Sequence, residues 1–513
     1  MNKKIYMLLF GGLPSKPSGL AGSVIRRANA LVKDNTPNEI LVYKYYNNFD
    51  NELSLLRQSG KLDENVNVRY MFNDFAFEEG DDDRKKIVQS SKEEAYITIQ
   101  DKVNKNIFRS YKNGIYEKFK WFNNLEGGEL NFIDYLTPGF VREKREWYDP
   151  KGYIKSIEYM DPKTNKPVRI THLNRNGQCY LSYSLSPTTG KVNQILWFGK
   201  NSEFIAEFKN EDDMLLYWLQ NIVLTNQEEY SLLISEYGFK KQYLSQIKKE
   251  NLSIFYTFHS THFTAPNTFG SPIKKEHVQF LNNLHETEGV VFLTQEQKND
   301  IVAQFGNLEK VHVIPHHAEK IKVNDKNRDS KTVVYLGRFE PGKNQAHAIM
   351  AFNRVAKDVP DAKLDLYGRG SEEEILKKLI KENNLENNVF IKGFTNNSYK
   401  VFQNSALSLM PSDREGMSLS ALESMASGCP IISYDFKYTP KDIIENGING
   451  VIVPHGDINA LADNIIDLLT NDEKRQSMSR EAKKITEKFS EERLIREWNE
   501  LFEEVMKKKQ KQG

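Results

Sequence analysis

One unit recurs along the chain: a short apolar strand runs into a glycine-containing turn and then into an amphipathic helix. Residues 5–10 form such a strand, followed by a Gly/Pro/Ser loop at 11–22 and a helix with apolar residues on one face. A second unit begins at residues 332–336 and continues through Gly337 into a helix at 345–355. Strands and helices that alternate in this way build parallel sheets with crossover helices, so the sequence predicts an α/β protein.

These units fall into two series on either side of a polar stretch, residues 320–331, which is the best linker candidate. The first series has predicted strands at 5–10, 39–43, 253–258, 289–293 and 310–315, with a further helix at 212–224. The second has strands at 332–336, 362–367, 389–392 and 406–410, with helices at 345–355 and 372–382. Two doubly wound, Rossmann-like domains with a cleft between them are therefore predicted.

Between the two halves of the first series the pattern changes to short alternating segments. Turn signals separate them at Asn113-Gly114, Asp149 to Gly152, Asp161-Pro162, Asn176-Gly177 and Pro187 to Gly190. In the segment 180–186 apolar residues alternate with serines, as on a sheet with one solvated face. An antiparallel β-meander inserted into an α/β domain is predicted.

These patterns predict four regions. An N-terminal Rossmann-like domain comprises residues 1–77 and 206–320, and the inserted β-sheet domain comprises 78–205. A C-terminal Rossmann-like domain covers 321–490. Residues 491–513 form a helix that returns to the N-terminal domain, with Trp498, Leu501 and Val505 on one stripe.

Composition excludes several classes of protein. Lys plus Arg total 71 against 70 for Asp plus Glu, so no global field attracts nucleic acid. Two distant cysteines, Cys179 and Cys429, form neither a disulfide framework nor a zinc cluster, which favours a reducing cytoplasm. No uncharged apolar run reaches the roughly 18 residues that a membrane span requires.

Two cations follow the strand at 332–336. Gly337, Pro341 and Gly342 shape a tight turn that fixes where the side chains of Arg338 and Lys343 point. Either cation alone is typical of a solvated loop. A guanidinium and an ammonium fixed together can hold the two phosphates of a nucleotide-sugar.

Two carboxylates follow the strand at 406–410. Glu415 lies in the crevice beyond the strand's carboxyl end, where open α/β sheets bind ligands. The backbone amides of Gly416, Met417, Ser418 and Leu419 and the helix that follows are predicted to receive the distal phosphate. Glu423 has an alternative reading, because Ser420 to Glu423 also fits a helix-capping box.

Other candidates lie at predicted strand ends in the N-terminal half. His259 and His262 follow the strand at 253–258 and are interpreted as sugar-facing or acceptor-facing, since no third metal ligand is nearby. Gly19 allows the backbone to approach a phosphate or sugar. The acidic run at 81–83 is interpreted as a helix cap rather than a metal site.

Several segments together resemble glycosyltransferase family 4, retaining enzymes of the GT-B fold. They are Gly-Arg-Phe-Glu-Pro-Gly-Lys at 337–343, Leu-Tyr-Gly-Arg-Gly at 366–370, Lys-Gly-Phe-Thr at 392–395, Glu415 to Glu423, and Asn-Gly-Ile-Asn-Gly at 446–450. The resemblance covers most of the chain. The inserted meander narrows it to Gram-positive wall teichoic acid α-glycosyltransferases and to transferases that glycosylate serine-rich or serine-aspartate-repeat adhesins.

The resemblance implies roles for individual residues. Arg338 and Lys343 would bind the donor diphosphate, Glu415 would contact the donor sugar and Glu423 the ribose. Backbone near Phe394 would hold the base. Arg338, Lys343, Glu415 and His259 are the expected catalytic set, with no metal or other cofactor and no covalent nucleophile.

The expected reaction transfers Glc or GlcNAc from a UDP-sugar to wall teichoic acid. A Ser-rich or Ser-Asp-repeat protein is an alternative acceptor, since a sheet edge can add an extended peptide. Arg142, Lys144 and Arg145 of the meander would suit either acceptor. A third alternative is an inactive sugar-binding scaffold subunit. The meander is expected to mediate homo-oligomers, and contact with the inner face of the membrane is expected, without nucleic acid.

Overall fold

The structure is a computed structural model of the chain. It describes residues 3–17, 19–77, 93–124, 128–236, 244–306, 309–323 and 328–510. The acidic run at 81–83 lies outside the described residues. Among those that are described, no helix is both long enough and apolar enough to cross a bilayer.

A seven-stranded parallel sheet forms the centre of the N-terminal domain. Its strands are β1 (Lys3–Leu9), β2 (Asn38–Val42), β3 (Asn67–Tyr70), β14 (Tyr230–Ser235), β15 (Leu252–Phe258), β16 (Gly289–Phe292) and β17 (Val311–Val313). They are ordered β17-β16-β15-β14-β1-β2-β3. In register, Ile5 of β1 lies between Leu232 and Asn38. The carboxyl ends of β1, β14 and β15 therefore meet at one edge of the sheet.

Ten strands of the described residues form an antiparallel sheet that is inserted between β3 and β14. Its strands are β4 (Ile97–Gln100), β5 (Ile107–Lys112), β6 (Ile115–Asn124), β7 (Glu129–Thr137), β8 (Val141–Tyr148), β9 (Ile154–Met160), β10 (Pro167–Leu173), β11 (Cys179–Leu185), β12 (Val192–Phe198) and β13 (Phe204–Phe208). Consecutive strands pair throughout, as a meander requires. The turn between β5 and β6 has positive φ at both Asn113 and Gly114, as a two-residue hairpin demands. The predicted meander is confirmed.

A six-stranded parallel sheet forms the C-terminal domain. Its strands are β18 (Thr332–Leu336), β19 (Lys363–Tyr367), β20 (Val389–Gly393), β21 (Leu407–Met410), β22 (Ile431–Tyr434) and β23 (Gly450–Val453). They are ordered β20-β19-β18-β21-β22-β23. The order reverses beside β18, so the loops after β18 and β21 flank a crevice.

Helices cover the faces of both parallel sheets. Those of the N-terminal half are α1 (Gly19–Lys33), α2 (Phe49–Gln58), α3 (Met71–Phe75), α4 (Glu211–Trp218), α5 (Lys275–Asn282) and α6 (Gln295–Phe305). Those of the C-terminal half are α7 (Gln345–Asp358), α8 (Glu373–Glu382), α9 (Ser398–Asn404), α10 (Leu419–Ala426), α11 (Pro440–Ile443), α12 (Ile458–Thr470), α13 (Asp472–Lys483), α14 (Ile485–Lys488) and α15 (Glu491–Gln510). A π turn, Leu219–Val223, continues α4, so the predicted helix at 212–224 has two parts.

Each parallel sheet has its own large apolar core. The last helix, α15, packs into the core of the N-terminal sheet, where Trp498 and Phe502 are buried. Part of the inserted sheet packs on the same core through Leu181 and Trp197, whose indole N–H donates to the carbonyl of Phe75 at 3.0 Å. The insert is thereby fixed to the N-terminal domain.

Truncating Trp498 should measure how strongly α15 holds the fold. The side chain is 1% exposed, and the Arg27 guanidinium lies 4.9 Å from its ring centroid. We expect Trp498→Ala to lower the free energy of unfolding by about 3–5 kcal/mol, measured by urea denaturation. Arg496→Ala, on the solvent side of the same helix, should change it by less than about 0.5 kcal/mol. Equal effects of the two substitutions would contradict this packing role.

Three basic residues of the insert, Arg142, Lys144 and Arg145, make ion pairs within the sheet. Both Arg145 and Arg142 pair with Asp134, Arg145 through two nitrogens at 2.6 and 2.9 Å. Lys144 pairs with Glu146 at 2.6 Å. Asp134 on the neighbouring strand and Glu146 on the same strand therefore hold these cations in ion pairs, and their role toward an acceptor stays a prediction.

Candidate functional site

A cleft of about 1000 Å³ lies between the two parallel-sheet domains. One wall is the polar face of α1 with the loops after β15 and β17, and the other wall is formed by the loops after β18, β20 and β21. All of the predicted site residues except His262 line it: Gly19, His259, Arg338, Lys343, Phe394, Glu415, Gly416, Met417, Ser418, Leu419 and Glu423. The structure thus brings together residues from both halves of the sequence, while their individual roles stay predictions.

The turn after β18 presents the two predicted cations. The Arg338 side chain makes no hydrogen bond or ion pair with the part of the protein that the structure describes, whereas Lys343 pairs with Glu415. Gln345 Nε2 donates to the Arg338 carbonyl at 2.6 Å, and the Asp413 amide donates to the Gly342 carbonyl at 2.8 Å. These backbone contacts fix the turn and leave the Arg338 guanidinium free for an anion.

The segment at 366–370 supports this turn from behind. The amide of Gly337 donates to the Tyr367 carbonyl at 3.0 Å, and the amide of Phe339 donates to the Arg369 carbonyl at 2.9 Å. The two segments, 337–343 and 366–370, are therefore joined by backbone hydrogen bonds into one structural unit.

The loop that carries Glu415 is fixed by backbone contacts to the segment after β22. The Glu415 amide donates to the Lys437 carbonyl at 3.2 Å, and the Tyr438 amide donates back to the Glu415 carbonyl at 3.0 Å. Ser412 Oγ donates to Glu415 Oε1 at 3.0 Å. The carboxylate is thus held beside Lys343, facing the space where a diphosphate and its sugar would lie.

The first turn of α10 differs in part from the prediction. Ser418 is the N-cap, and its hydroxyl accepts from the Ala421 amide, so the capping box that begins at Ser420 is wrong. The Ser418 amide donates to Thr439 Oγ1 at 3.2 Å. That amide is therefore already used inside the protein and is not one of the free phosphate donors.

Glu423 lies one turn further along α10 and pairs with Arg26 of α1, across the cleft. Arg26 also lies 3.8 Å from Glu319, in the segment that joins the domains. The buried Nη1 of Arg26 has no hydrogen-bond partner among the described residues. Sequence reasoning missed Arg26. Its signal was the polar face of α1, because Gly19, Gly22 and Arg26 follow helical spacing and all line the cleft.

Breaking the Arg26–Glu423 pair should weaken the contact between the two walls. The side chains are only 18% and 10% exposed, so losing one partner leaves a poorly solvated charge. We expect Arg26→Ala to lower the free energy of unfolding by about 2 kcal/mol and Glu423→Gln by a similar amount. In the double variant the losses should not add, and additive losses in denaturant unfolding would show that the two side chains are not coupled.

The two predicted histidines have different surroundings. His259 lines the cleft, and its Nε2 lies 2.6 Å from Glu236 Oε2. His262 is fully buried against Tyr438, whose hydroxyl lies 3.3 Å from His262 Nδ1. Burial lowers the pKa of His262 to about 4, so the ring is neutral at neutral pH. The prediction that His262 faces a sugar or an acceptor is wrong, because the loop turns this side chain into the protein.

Phe394 and Gly19 lie on opposite walls of the cleft. Phe394 follows β20, is 38% exposed, and has the Lys16 ammonium 5.6 Å from its ring centroid. Gly19 begins α1. Within the described ranges, no three His, Cys, Asp or Glu side chains form a group that could hold a metal ion.

Comparison with known proteins finds glycosyltransferases similar to this chain. Residues 316–485 match the family model described as glycosyl transferases group 1. A poly(glycerol-phosphate) α-glucosyltransferase of Bacillus subtilis (strain 168) is 27% identical over 96% of this chain and 74% of its own length. A poly(ribitol-phosphate) α-N-acetylglucosaminyltransferase of Staphylococcus aureus (strain COL) is 26% identical over 98% of this chain and 99% of its own length.

A solved structure shows the same fold over its whole length. It is an S. aureus TarM mutant in complex with fondaparinux, α-GlcNAc-glycerol and UDP. The TM-score is 0.82 at 24% identity, covering 98% of this chain and 99% of that one. The likeness establishes the GT-B architecture, including the inserted antiparallel sheet.

Proposed function

We propose that this chain, which has the GT-B fold and whose residues 316–485 match the model of glycosyl transferases group 1, glycosylates a poly(polyol phosphate). The donor is UDP-Glc or UDP-GlcNAc, and transfer retains the anomeric configuration. The observation that carries the proposal is the single cleft that holds Arg338, Lys343 and Glu415 opposite the polar face of α1. Relatives that match along nearly the whole chain act on polymers of this kind.

The charge in the cleft suits a departing nucleoside diphosphate. Cleavage of the anomeric bond moves negative charge onto the β-phosphate, where the Arg338 guanidinium and the Lys343 ammonium stabilise it without a metal. Lys343 is already placed by its ion pair with Glu415, so little of its side-chain freedom is left to lose when the donor binds. The carboxylate of Glu415 then faces the donor sugar beside the phosphate.

An exposed apolar edge of the inserted sheet favours the proposal that this protein forms a homo-oligomer. In the described part of the sheet β4 is an edge strand, and its Ile97 and Ile99 are 72% and 54% exposed. An apolar edge of this kind is a ready surface for a second copy. Light scattering of the wild type and of an Ile97→Lys/Ile99→Lys variant would test the homo-oligomer, and an unchanged mass would overturn it.

We place the protein in the cytoplasm, at the inner face of the membrane.

The acceptor is tested by a matrix of purified substrates. UDP-Glc and UDP-GlcNAc are each incubated with poly(glycerol phosphate), poly(ribitol phosphate) and a Ser-rich peptide, and products are identified by mass spectrometry. We expect transfer to a polyol phosphate, with an α-linkage by proton NMR. Transfer only to the peptide would identify a protein glycosyltransferase. Absence of UDP release from either donor, with or without acceptor, would favour the inactive scaffold.

A further inference from the structure

Glu236 is a buried carboxylate next to the cleft that sequence reasoning did not single out. It follows directly after β14, and its side chain is fully buried. One oxygen, Oε1, pairs with Arg27 of α1, and the other, Oε2, lies 2.6 Å from His259 Nε2. Three adjacent elements of the sheet domain thus supply a chain of contacts from Arg27 through Glu236 to His259.

This series of contacts from Arg27 through Glu236 to His259 defines which nitrogen of His259 carries a proton. Burial raises the pKa of Glu236, but the charge of Arg27 and the hydrogen bond from His259 outweigh this effect, so the net pKa lies below its usual value. An ionised carboxylate only accepts hydrogen bonds, so His259 Nε2 must donate. In the neutral ring the lone pair then lies on Nδ1, and no described residue forms a hydrogen bond with Nδ1.

The backbone of His259 is fixed as firmly as its ring. A Cβ built on Gly416, in the loop after β21, would lie 2.2 Å from the His259 carbonyl oxygen, so the two segments are in close contact. The His316 ring stacks beside His259 at 5.8 Å between centroids, with the planes 18° apart. His259 therefore has a defined position relative to the loop that carries Glu415.

We propose that Glu236, supported by Arg27, is a positioning residue that fixes the orientation and tautomer of His259, so that His259 Nδ1 accepts a hydrogen bond from a sugar hydroxyl in the cleft. The inference rests on the proposed function only for the identity of that hydroxyl. The contacts themselves do not depend on it.

Among the described residues, charged and titratable groups near His259 come from α1 and from the segments after β14 and β17. Arg26 and Arg27 belong to α1, Glu236 follows β14, and His316 and His317 follow β17. Burial lowers the pKa of His316 well below its usual value, so His316 is neutral. Glu236 is then the anion that faces the His259 ring directly.

The first test is the kinetics of Glu236→Gln. This change keeps the size of the side chain and removes its charge, which permits the ring of His259 to adopt the other tautomer. We expect kcat to fall roughly 10- to 100-fold, with the Kd for UDP changed less than about twofold. Glu228→Gln, an exposed change in the loop before β14, is the matched control and should keep wild-type kcat. Unchanged kcat in Glu236→Gln would overturn the proposal.

A double variant separates positioning from folding. Glu236→Gln leaves the Arg27 charge buried without its partner, which could lower stability by itself. Arg27→Met combined with Glu236→Gln removes both charges. If kcat stays low in this folded double variant, the loss belongs to the orientation of His259. Recovery of kcat would show that the single change acted only through stability, and the proposal would fail.

The third measurement needs no turnover. In protein with ¹⁵N-labelled histidines, His259 should be protonated at Nε2 in the wild type and should shift toward Nδ1 protonation in Glu236→Gln, with His259→Gln assigning the signal. Failure of the wild type to transfer any sugar would refute the proposed function and leave this result standing. An Nδ1-protonated His259 in the wild type would refute the positioning role alone.

Discussion

Lys343→Ala and Arg338→Ala are each expected to lower kcat by about two to three orders of magnitude. Removing one fixed donor from a site where charge develops typically raises the barrier by about 3–4 kcal/mol. Lys343→Ala should have the larger effect, because it also exposes the approaching diphosphate to the unpaired carboxylate of Glu415. Release of UDP at saturating donor measures both.

The ion pair makes a second, sharper test possible. The double variant Lys343→Ala/Glu415→Gln lacks the Glu415 charge that repels the diphosphate. Its kcat should therefore be higher than the value expected from multiplying the losses of the two single variants. Arg354→Ala and Lys357→Ala, on α7 outside the cleft lining, are the matched controls and should keep wild-type kcat. Turnover like the wild type in Arg338→Ala or Lys343→Ala would contradict the assignment of the diphosphate site.

Gly416→Ala should lower kcat by about 100-fold and weaken UDP binding. A methyl group at this position would lie 2.2 Å from the His259 carbonyl oxygen and 3.1 Å from the Ser260 amide. Backbone atoms on both sides cannot rotate away, so the N-terminal and C-terminal walls must separate. A displacement of about 1 Å between a substrate and its catalytic groups lowers the rate by about 100-fold. Steady-state kinetics and calorimetry with UDP measure the two effects.

The control for Gly416→Ala adds the same methyl group where space is open. A Cβ at Gly11 meets no atom within 4 Å, so Gly11→Ala should retain activity and differ little in thermal stability. If Gly416→Ala kept the wild-type kcat and Kd, the contact between the two walls would not be part of the active arrangement.

Much of the architecture was predictable because the chain is locally consistent. The strand at 332–336 was predicted to the residue, and β15 and β19 were predicted within one residue. Apolar periodicity and glycine turns specify these elements without reference to the rest of the protein. The hairpins of the insert were predictable for the same reason, since each turn carries its own signal.

Three of the strands that escaped prediction, β14, β22 and β23, are short and largely buried. β14 reads Tyr-Ser-Leu-Leu-Ile-Ser and is buried along its whole length, and β22 and β23 have four residues each. Periodicity cannot separate such runs from buried helix segments. Glu236 was not predicted as a site residue because β14, the strand before it, was not predicted. The available signal was a carboxylate beyond the end of a central parallel strand.

The amino-acid sequence by itself determined the type and order of the elements, the inserted meander, and the placement of Arg338, Lys343 and Glu415 at strand ends. Only the tertiary structure decided which side chains meet. Glu415 pairs with Lys343 across 72 residues of sequence and Glu423 with Arg26 across 397. His262 turned inward although His259 faces the cleft. The physical reason is that local patterns fix backbone geometry, whereas side-chain partners depend on which loops the packed cores bring to a shared edge.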